Sequence, residues 1–351
     1  GMKPVTDTFT LADLGWSALQ LSQLTPVDVE TLTPARVSAV HRDRIEALSG
    51  NGALSLRSPS DATTGSFAVG DWVLADAAAT VIRRLDRSSL LKRRAAGETG
   101  ADQLIAANVD TLFIVTSCNA DFNPARLERY LSLAAEGGAE AVILLTKADT
   151  VDDPQDYAAR ASALKRNLIA LPINARSPDL AGTLADWCRK GRTVALVGSS
   201  GTGKSTITSA LTGLDLARQD IRDDDAKGRH TTTFRALYPM TLGGWIIDTP
   251  GMRELRLSDA ADGIAETFAD ISDLIPLCRF RDCAHEAEPG CAVRAAIEDG
   301  TLDPGRLTRW RKLMREDAHA AASIAETRAR DKKWGRFHKA LTAERKREKG
   351  S

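Results

Sequence analysis

The sequence contains no apolar run approaching the roughly 20 residues of a membrane-spanning helix, so we expect no membrane segment. It also contains no internal repeat and no low-complexity tract, which argues against repeat and fibrous architectures. The start, Gly1–Pro4, shows no secretory signal, and we therefore expect a cytoplasmic protein. In that compartment the five cysteines indicate thiols or metal ligands rather than disulfides.

The chain also lacks a net charge, because 47 basic residues balance 47 acidic ones. This balance conceals two basic segments. Residues 306–351 carry 15 Lys/Arg against 6 Asp/Glu, and residues 81–94 carry six basic side chains against one acid. Such segments on a neutral chain indicate an anionic partner at particular surfaces, although a solvated helical tail would give the same count.

The 351 residues suit two or three domains. Residues 5–30 form a short amphipathic stretch that we expect to be a peripheral arm. From Ala35, short alternating runs with glycine turns predict a small β-barrel, of an OB-like or an SH3-like type. From about Gln103, strand patterns alternate with helix patterns, which predicts a parallel, doubly wound sheet. After about Ser258 a Cys/His cluster and polar helices follow.

Hydrophobic periodicity gives bounds for the elements of the α/β part. The expected strands are Thr111–Ser117, Ala141–Leu145, Leu168–Pro172, Thr193–Val197 and Gly244–Ile247. The expected helices are Arg126–Glu136, Tyr157–Arg166, Leu180–Lys190 and Gly203–Leu211.

A phosphate-binding loop is the strongest motif of the chain. Residues 198–205 read G-x-x-x-x-G-K-S and lie between an apolar strand and a helix, as such a loop requires. Backbone N–H groups then surround the phosphates, Lys204 bridges the β- and γ-phosphates, and the Ser205 hydroxyl binds Mg²⁺. The candidate phosphate-binding residues are Gly198, Ser199, Ser200, Gly201, Thr202, Gly203, Lys204, Ser205 and Thr206.

A second metal-side group follows this loop. Asp248 ends the apolar run Trp245–Ile247, so its carboxylate is expected to hold Mg²⁺ through water, and the nearby Gly251 N–H to meet the γ-phosphate. The intervening segment Gly228–Thr233 contains Thr232, which is expected to close on Mg²⁺ as a switch. An ordinary polar loop is the alternative for this segment.

A candidate base-binding motif lies before the phosphate loop, whereas ordinary GTPases have the reverse order. The Asp149 carboxylate can accept hydrogen bonds from both N1–H and N2–H₂ of guanine, and the Lys147 stem can cover the base. The segment 174–176, after the next strand, can offer backbone N–H groups to guanine O6. Each motif alone also fits a surface turn, but their order predicts a circularly permuted nucleotide-binding domain. The candidate base-binding residues are Thr146, Lys147, Asp149, Asn174, Ala175 and Arg176.

A possible metal site lies in the C-terminal part. Three cysteines and one histidine form the pattern C-x4-C-x-H-x5-C, and three thiolates with one imidazole suit tetrahedral Zn²⁺. Four protein ligands leave no open position, so the ion is expected to be structural. The four ligands are Cys278, Cys283, His285 and Cys291. Cys118 and Cys188 are instead expected to be buried thiols.

The chain resembles the RsgA family of circularly permuted GTPases, also called the YjeQ or YloQ family, in the order of its segments 146–149, 174–176, 198–205, 228–233 and 248–251. The likeness extends to Gln103–Asp110, a characteristic lead-in to the GTPase domain, and to Gly70–Val73 in the predicted barrel. The resemblance covers about residues 35–340. It also matches the zinc pattern.

The resemblance implies a multidomain α/β protein with an N-terminal OB-type β-barrel, a central circularly permuted P-loop GTPase domain with a mostly parallel sheet, and a C-terminal zinc-binding helical domain. We expect these parts at residues 1–95, 96–258 and 259–351. The family implies a GTPase that binds the 30S ribosomal subunit late in its maturation and is stimulated by it. The implied ligands are 16S rRNA, GTP or GDP, Mg²⁺ with GTP, and one structural Zn²⁺. We expect a monomer.

Two positions depart from the family pattern. Thr146 stands where the family usually has Asn, and Asn174 where it often has Ser. Thr146 is expected to lose the amide that ties the base loop to the phosphate loop. Guanine preference should survive through Asp149, with a weaker affinity.

The expected catalysis is slow without a partner, because Met252 occupies the position where many GTPases have a water-orienting glutamine. His230 is the nearest polar candidate, with a structural or RNA-contacting role as the alternative. The candidate catalytic residues are His230, Lys204 and Gly251. The basic segments supply the candidate RNA-binding residues Arg93, Arg94, Lys332, Lys333 and Arg336.

Two other classes of function remain open at this point. A P-loop ATPase or small-molecule kinase would share the phosphate loop but not the base motif. An RNA-binding scaffold would hold nucleotide without turnover.

Overall fold

The structure is a computed structural model, and it describes residues 9–94, 102–214, 236–248, 260–319 and 322. These residues contain a five-stranded sheet, a six-stranded sheet and a two-stranded hairpin. The strands are β1 (Thr33–Val40), β2 (Ile45–Ser49), β3 (Gly52–Leu56), β4 (Trp72–Ala75), β5 (Val81–Arg84), β6 (Leu90–Arg94), β7 (Asp102–Ala107), β8 (Thr111–Ser117), β9 (Glu140–Thr146), β10 (Ile169–Pro172), β11 (Thr193–Gly198), β12 (Ala236–Pro239) and β13 (Trp245–Asp248).

Two short helices precede the N-terminal sheet, others flank the six-stranded sheet, and the rest form the C-terminal part. They are α1 (Ala18–Leu21), α2 (Pro26–Thr31), α3 (Pro124–Gly137), α4 (Pro154–Ser162), α5 (Leu180–Thr183), α6 (Ala185–Cys188), α7 (Lys204–Thr212), α8 (Ala261–Thr267), α9 (Ala269–Ser272), α10 (Ala292–Glu298) and α11 (304–319). None of the helices in the described ranges is both long and apolar enough to cross a membrane.

The N-terminal sheet is antiparallel, with strand order β3-β2-β1-β4-β5. Alternate residues of β2 are buried, which is the predicted period of two. The two edge strands meet at one end: the Arg57 N–H donates to the Ala79 carbonyl at 2.9 Å, and the Val81 N–H donates to the Arg57 carbonyl at 3.0 Å. These bonds join the end of β3 to the start of β5 in parallel, so the sheet curves back on itself.

The six-stranded sheet has the order β10-β9-β8-β11-β13-β12. All neighbours are parallel except the edge pair β12 and β13, which is antiparallel. Every residue of β8 and β11 is buried, as expected for central parallel strands. Leu112 and Ile114 join one hydrophobic cluster, whereas Phe113 and Val115 join another. The sheet therefore has an apolar layer on each face, which confirms the predicted doubly wound arrangement.

Two predicted helices differ from the observed ones by more than two residues at an end or by a break. α4 begins at Pro154 rather than at Tyr157, because the Asp153 side chain caps it by accepting the Gln155 N–H at 3.1 Å. The expected helix over 180–190 is divided into α5 and α6, because Leu184 leaves the helical conformation with φ −100° and ψ 12°.

The hairpin of β6 and β7 connects the two larger sheets in sequence. Its strands are antiparallel, with Leu90 opposite Ala107 and Arg94 opposite Asp102. The expected boundary between residues 95 and 96 lies between these two strands.

The expected peripheral arm was residues 5–30. Its part over residues 9–24, called the N-terminal arm below, is not wholly peripheral, although Leu19 and Leu21 are exposed. Leu14 is completely buried, and the Trp16 ring packs edge-on against Trp72 of β4 with centroids 4.8 Å apart. The Phe9 ring packs against Trp245 of β13 at 5.0 Å. The arm thus fills the junction between the two large sheets, a location that a local amphipathic pattern cannot specify.

The C-terminal part has its own apolar cluster and is fixed to α3. Gly263 of α8 allows the closest approach, because a Cβ there would lie 2.2 Å from the Ser132 carbonyl oxygen of α3. The completely buried Glu128 carboxylate of α3 accepts hydrogen bonds from Arg306 at 2.9 Å and from Arg309 at 2.8 Å. Apolar packing and a buried ion-pair network therefore hold this part against the central sheet.

Candidate functional site

The phosphate loop connects β11 to α7 at the carboxyl edge of the central sheet. Gly198 ends β11 with φ +143°, and a Cβ there would lie 2.1 Å from the Val115 carbonyl oxygen, so no other residue fits. Gly203 precedes α7 with φ +98°, a conformation that favours glycine. The two glycines let the chain turn sharply, and the nine-residue helix α7 then begins at Lys204, so its first N–H groups lie at the loop.

Side chains of the loop also stabilise its turn. The Thr202 hydroxyl donates to the Ser199 carbonyl at 2.9 Å. The Lys204 ammonium donates to the Gly198 carbonyl at 2.8 Å and also contacts the Ser199 carbonyl. Lys204 thus lies across the loop, with its ammonium among carbonyl oxygens that phosphate oxygens can replace.

A cleft of about 320 Å³ brings the predicted base and phosphate motifs together. The base motif follows β9 and the segment 174–176 follows β10, so both reach the same edge of the sheet as the phosphate loop. The cleft is lined by Thr146, Lys147, Asp149, Thr150, Asn174, Ala175, Arg176, Gly201, Thr202, Gly203 and Thr206. All six predicted base-binding residues therefore share one cleft with part of the phosphate loop.

Thr146 links the base motif to the phosphate loop, contrary to the expected loss of this tie. Its buried hydroxyl oxygen lies 2.7 Å from the Thr202 carbonyl oxygen and 3.1 Å from the Thr116 carbonyl oxygen. A hydroxyl has one hydrogen, so it donates to one of these carbonyls at a time, whereas an amide could serve both. Residue type alone could not reveal this contact, because it depends on how closely the two loops approach each other.

The base loop itself is exposed and held by its backbone. Lys147 has the left-handed φ of +58°, and the Ala148 N–H donates to the Ile173 carbonyl at 3.3 Å. In the neighbouring loop the Asn174 side-chain oxygen accepts the Arg176 N–H at 2.9 Å. These bonds fix the two loops relative to β10 and leave Lys147 and Asp149 exposed at the cleft.

The magnesium-side candidates lie at the same edge. Ser205 is in the first turn of α7, and Asp248 ends β13, which pairs in parallel with β11. The register of Ala195 with Ile247 brings Asp248 level with Leu196, two residues before the phosphate loop begins at Gly198. Carboxylate and hydroxyl oxygens suit Mg²⁺, so the donor set fits the ion. His230, Thr232, Gly251 and Met252 lie outside the described residues.

The four predicted zinc ligands converge in the C-terminal part, with their ligand atoms all within 4.8 Å of one another. His285 Nδ1 lies 3.6 Å from Cys278 Sγ and 3.5 Å from Cys291 Sγ, and these two sulfurs are 4.0 Å apart. Tetrahedral Zn²⁺ with its usual bond lengths requires separations of about 3.6–3.8 Å, so these three separations are close to those that the ion needs. Burial lowers the pKa of His285, which favours the neutral imidazole that a metal ligand needs.

Residues around this cluster hold the ligand loop, and the spacing of Cys and His gave no sign of them. Arg311 of α11 donates to the His285 carbonyl at 2.7 Å, and the Trp310 ring lies edge-on to the His285 ring. The Glu288 carboxylate accepts backbone N–H groups, beginning with that of Ala284 at 2.8 Å, and these bonds lower the pKa of Glu288 to about 2. The loop is thus shaped by protein contacts as well as by its metal ligands.

The basic segment 81–94 is partly occupied by intramolecular ion pairs. Arg87 makes a two-point contact with the fully buried Asp71 carboxylate, at 2.6 and 2.7 Å. Arg83 pairs with Asp28 of α2 at 2.7 Å. Arg83 and Arg87 therefore stabilise the fold through these ion pairs. The backbones of Arg93 and Arg94 lie in β6. Their side chains, like Lys332, Lys333 and Arg336, lie outside the described part of the chain.

Comparison with known proteins gives one family. The family model described as RsgA GTPase matches residues 84–258. The small ribosomal subunit biogenesis GTPase RsgA of Mesorhizobium japonicum is 56% identical over 317 residues, covering 88% of this chain and 90% of the relative. RsgA 2 of Vibrio vulnificus is 45% identical over 97% of both chains.

Two crystal structures share the fold at 22% identity. YjeQ from Thermotoga maritima has a TM-score of 0.60 and covers 81% of this chain and 98% of its own. YloQ, a circularly permuted GTPase, has a TM-score of 0.57 and covers 81% and 94%. The order of base motif and phosphate loop in this chain agrees with that permuted arrangement.

Proposed function

The chain belongs to the RsgA family of GTPases, and from this premise we propose that it hydrolyses GTP to GDP and phosphate while assisting the late maturation of the 30S ribosomal subunit. One observation carries the proposal most directly. The cleft that contains Gly201, Thr202 and Gly203 of the phosphate loop also contains Lys147 and Asp149 of the base motif. A phosphate loop alone would fit any nucleoside triphosphate, whereas this combination favours guanine.

The proposed binding roles follow from the chemistry of each group. Asp149 accepts hydrogen bonds from guanine N1–H and N2–H₂, and the Lys147 stem covers the base. In the segment 174–176 the backbone N–H of Ala175 serves guanine O6, because the Arg176 N–H donates to the Asn174 side chain. The loop amides at 198–205 surround the phosphates, as helix N-termini commonly do.

Phosphoryl transfer needs positioning and charge neutralisation more than covalent chemistry. Lys204 neutralises charge on the β- and γ-phosphates, and Ser205, Thr232 and Asp248 would hold Mg²⁺, which supplies further positive charge when bound. The Gly251 N–H is proposed to meet the γ-phosphate, and His230 to orient the attacking water once the subunit is bound. Without a glutamine at the usual position, we expect slow intrinsic hydrolysis.

The flanking parts are proposed to form the ribosome-facing surfaces. The strand order β3-β2-β1-β4-β5, with parallel closure at Arg57 and Thr80, supports an OB-type barrel. We propose domains at 1–95, 96–258 and 259–351, with structural Zn²⁺ at the Cys/His cluster of the last one. Their proposed contacts with 16S rRNA are made by Arg93, Arg94, Lys332, Lys333 and Arg336. We further propose a cytoplasmic monomer.

Nucleotide competition tests the proposal. A fluorescent GDP analogue bound to the full chain should be displaced by GTP and GDP at far lower concentrations than by ATP. An Asp149→Ala variant should lose this preference, whereas Asp153→Ala, which removes a helix cap outside the cleft, should keep it. Equal displacement by ATP and GTP would support a general ATPase or kinase instead. Sedimentation with 30S subunits in the GTP-analogue state tests the partner.

A further inference from the structure

One buried cation joins four segments that are distant in sequence. Arg36 of β1 is 1% exposed, and its Nη1 donates to the Leu14 carbonyl of the arm at 2.6 Å. Its Nη2 donates to the Thr193 hydroxyl at 2.8 Å and contacts the Asn108 carbonyl at 3.3 Å. Its Nε lies 3.5 Å from the Gly70 carbonyl oxygen. The guanidinium thus bridges the arm, the N-terminal sheet, the link before β8 and the start of β11.

The buried guanidinium of Arg36 needs hydrogen-bond acceptors at fixed positions. Within the described ranges no carboxylate forms an ion pair with Arg36, so carbonyl and hydroxyl oxygens replace the water that burial removes. Burial lowers the pKa of Arg36 to about 10, although Asp110 and Asp71 oppose this shift, and the group stays charged. A planar guanidinium offers its donors in a fixed fork, so its acceptors must keep fixed relative positions.

Thr193 connects this contact to the nucleotide site. It is the first residue of β11, and β11 runs without interruption through Gly198 into the phosphate loop. All six residues of the strand are buried, and β8 and β13 pair with it on both sides. The strand is therefore a stiff connection between the Arg36 contact and the loop amides.

The arm adds a second connection to the same site. The Trp245 indole N–H donates to the Asp13 carbonyl at 2.7 Å, and Trp245 begins β13, which ends at Asp248. The Asp13 carboxylate also pairs with Lys190, three residues before β11, at 2.5 Å. The arm thus contacts the beginnings of both strands whose ends carry the phosphate-binding and magnesium-side groups.

We propose that Arg36 is a positioning residue that couples the N-terminal sheet and arm to the phosphate loop through Thr193 and β11. Occupation of the loop then changes the packing of the arm and β1, and contacts of the N-terminal sheet with RNA change the loop. This inference rests on the proposed function, because it assigns the coupling to GTP and to the 30S subunit.

Hydrogen exchange of the full chain tests the coupling without the ribosome. In the wild type, a non-hydrolysable GTP analogue should slow exchange at residues 198–205, in the arm and in β1. In Arg36→Met and Thr193→Val the response at 198–205 should remain. The response of β1 should disappear, and that of the arm should fall to what its contacts with Trp245 and Lys190 still carry. Thr193→Ser keeps the hydroxyl and should restore them. Arg44→Met, an exposed arginine next to the same sheet, is the matched control.

Thr193→Val is nearly isosteric and carries the test if Arg36→Met does not fold. A response at 198–205 without one in the arm or β1 of the wild type overturns the coupling, as does an unchanged response in folded Thr193→Val. No response at 198–205 in the wild type contradicts the proposed function as well. A second assay measures the ratio of 30S-stimulated to intrinsic turnover. In Arg36→Met and Thr193→Val this ratio should fall at least about fivefold, which is the lower end of the usual coupling between two sites. An unchanged ratio overturns the proposal.

Discussion

Replacing Thr146 by valine should weaken nucleotide binding by loosening the connection between two loops of the cleft. The valine side chain has nearly the same shape but no hydroxyl. It removes the 2.7 Å contact that joins the base loop to the Thr202 carbonyl of the phosphate loop. Because Thr146 is buried, water cannot replace the lost donor. The two loops that bind opposite ends of GTP would then be held together less firmly.

The size of the effect has an upper limit set by this one hydrogen bond. A neutral buried hydrogen bond contributes about 0.5–1.5 kcal/mol, and 1.4 kcal/mol corresponds to a factor of ten in affinity. If only a fraction of the variant has both loops ordered for binding, its apparent affinity is the intrinsic affinity multiplied by that fraction. We therefore expect about three- to tenfold weaker binding of GTP and GDP alike, with little change in turnover at saturation.

Titration with a fluorescent GDP analogue measures this loss, and the neighbouring strand provides a matched control. The Thr116 hydroxyl is buried and has no hydrogen-bond partner among the described residues, so Thr116→Val makes the same edit without breaking a contact. That control should bind as the wild type and be at least as stable. Equal affinities of Thr146→Val and the wild type would refute the assigned tie.

Three further changes test other parts of the structure. Glu128→Ala should lower the free energy of unfolding by about 3–5 kcal/mol, because two arginines lose a buried partner. Glu316 is more exposed, so Glu316→Ala should lower it by less than about 1 kcal/mol. Chemical denaturation of both variants measures the difference. Gly198→Ala should abolish nucleotide binding in a titration, since its Cβ would meet a carbonyl oxygen, whereas Gly201→Ala has open space and should bind with a modest loss. Metal analysis should detect one zinc ion in the wild type, and Cys283→Ser should lose this ion and lower the melting temperature.

Each of these three has a clear contrary outcome. Equal stability of the two glutamate variants would show that the C-terminal part does not depend on the buried pair. Normal binding by Gly198→Ala would contradict the loop geometry. Full zinc content in Cys283→Ser would exclude Cys283 as a ligand.

The nucleotide cleft could be predicted from sequence because its parts are local motifs at the ends of successive strands. Parallel strands bring their carboxyl ends to one edge, so Asp149, Asn174 and Gly198 had to lie near one another once the sheet was recognised. The zinc ligands converge for a related reason, since the pattern from Cys278 to Cys291 spans a single short loop. Spacing carries this information without any knowledge of distant packing.

The arm and its contacts could not be predicted in this way. Arg36 meets Leu14, Asn108 and Thr193 across 22, 72 and 157 residues of sequence, and no short pattern encodes such distances. The role of Arg87 was hidden for the same reason, because a basic run does not reveal which member pairs with a buried carboxylate. Tertiary packing decides these cases.

Phosphate release by the full chain, measured with and without 30S subunits, tests the central claim most directly. The account predicts slow release from GTP alone, a large increase when 30S subunits are added, and little release from ATP under either condition. A Lys204→Ala variant should remain inactive throughout and excludes contaminating nucleotidases. Release from GTP that 30S subunits leave unchanged, or equal release from ATP, would contradict the assignment of a guanine-specific GTPase acting on the small subunit.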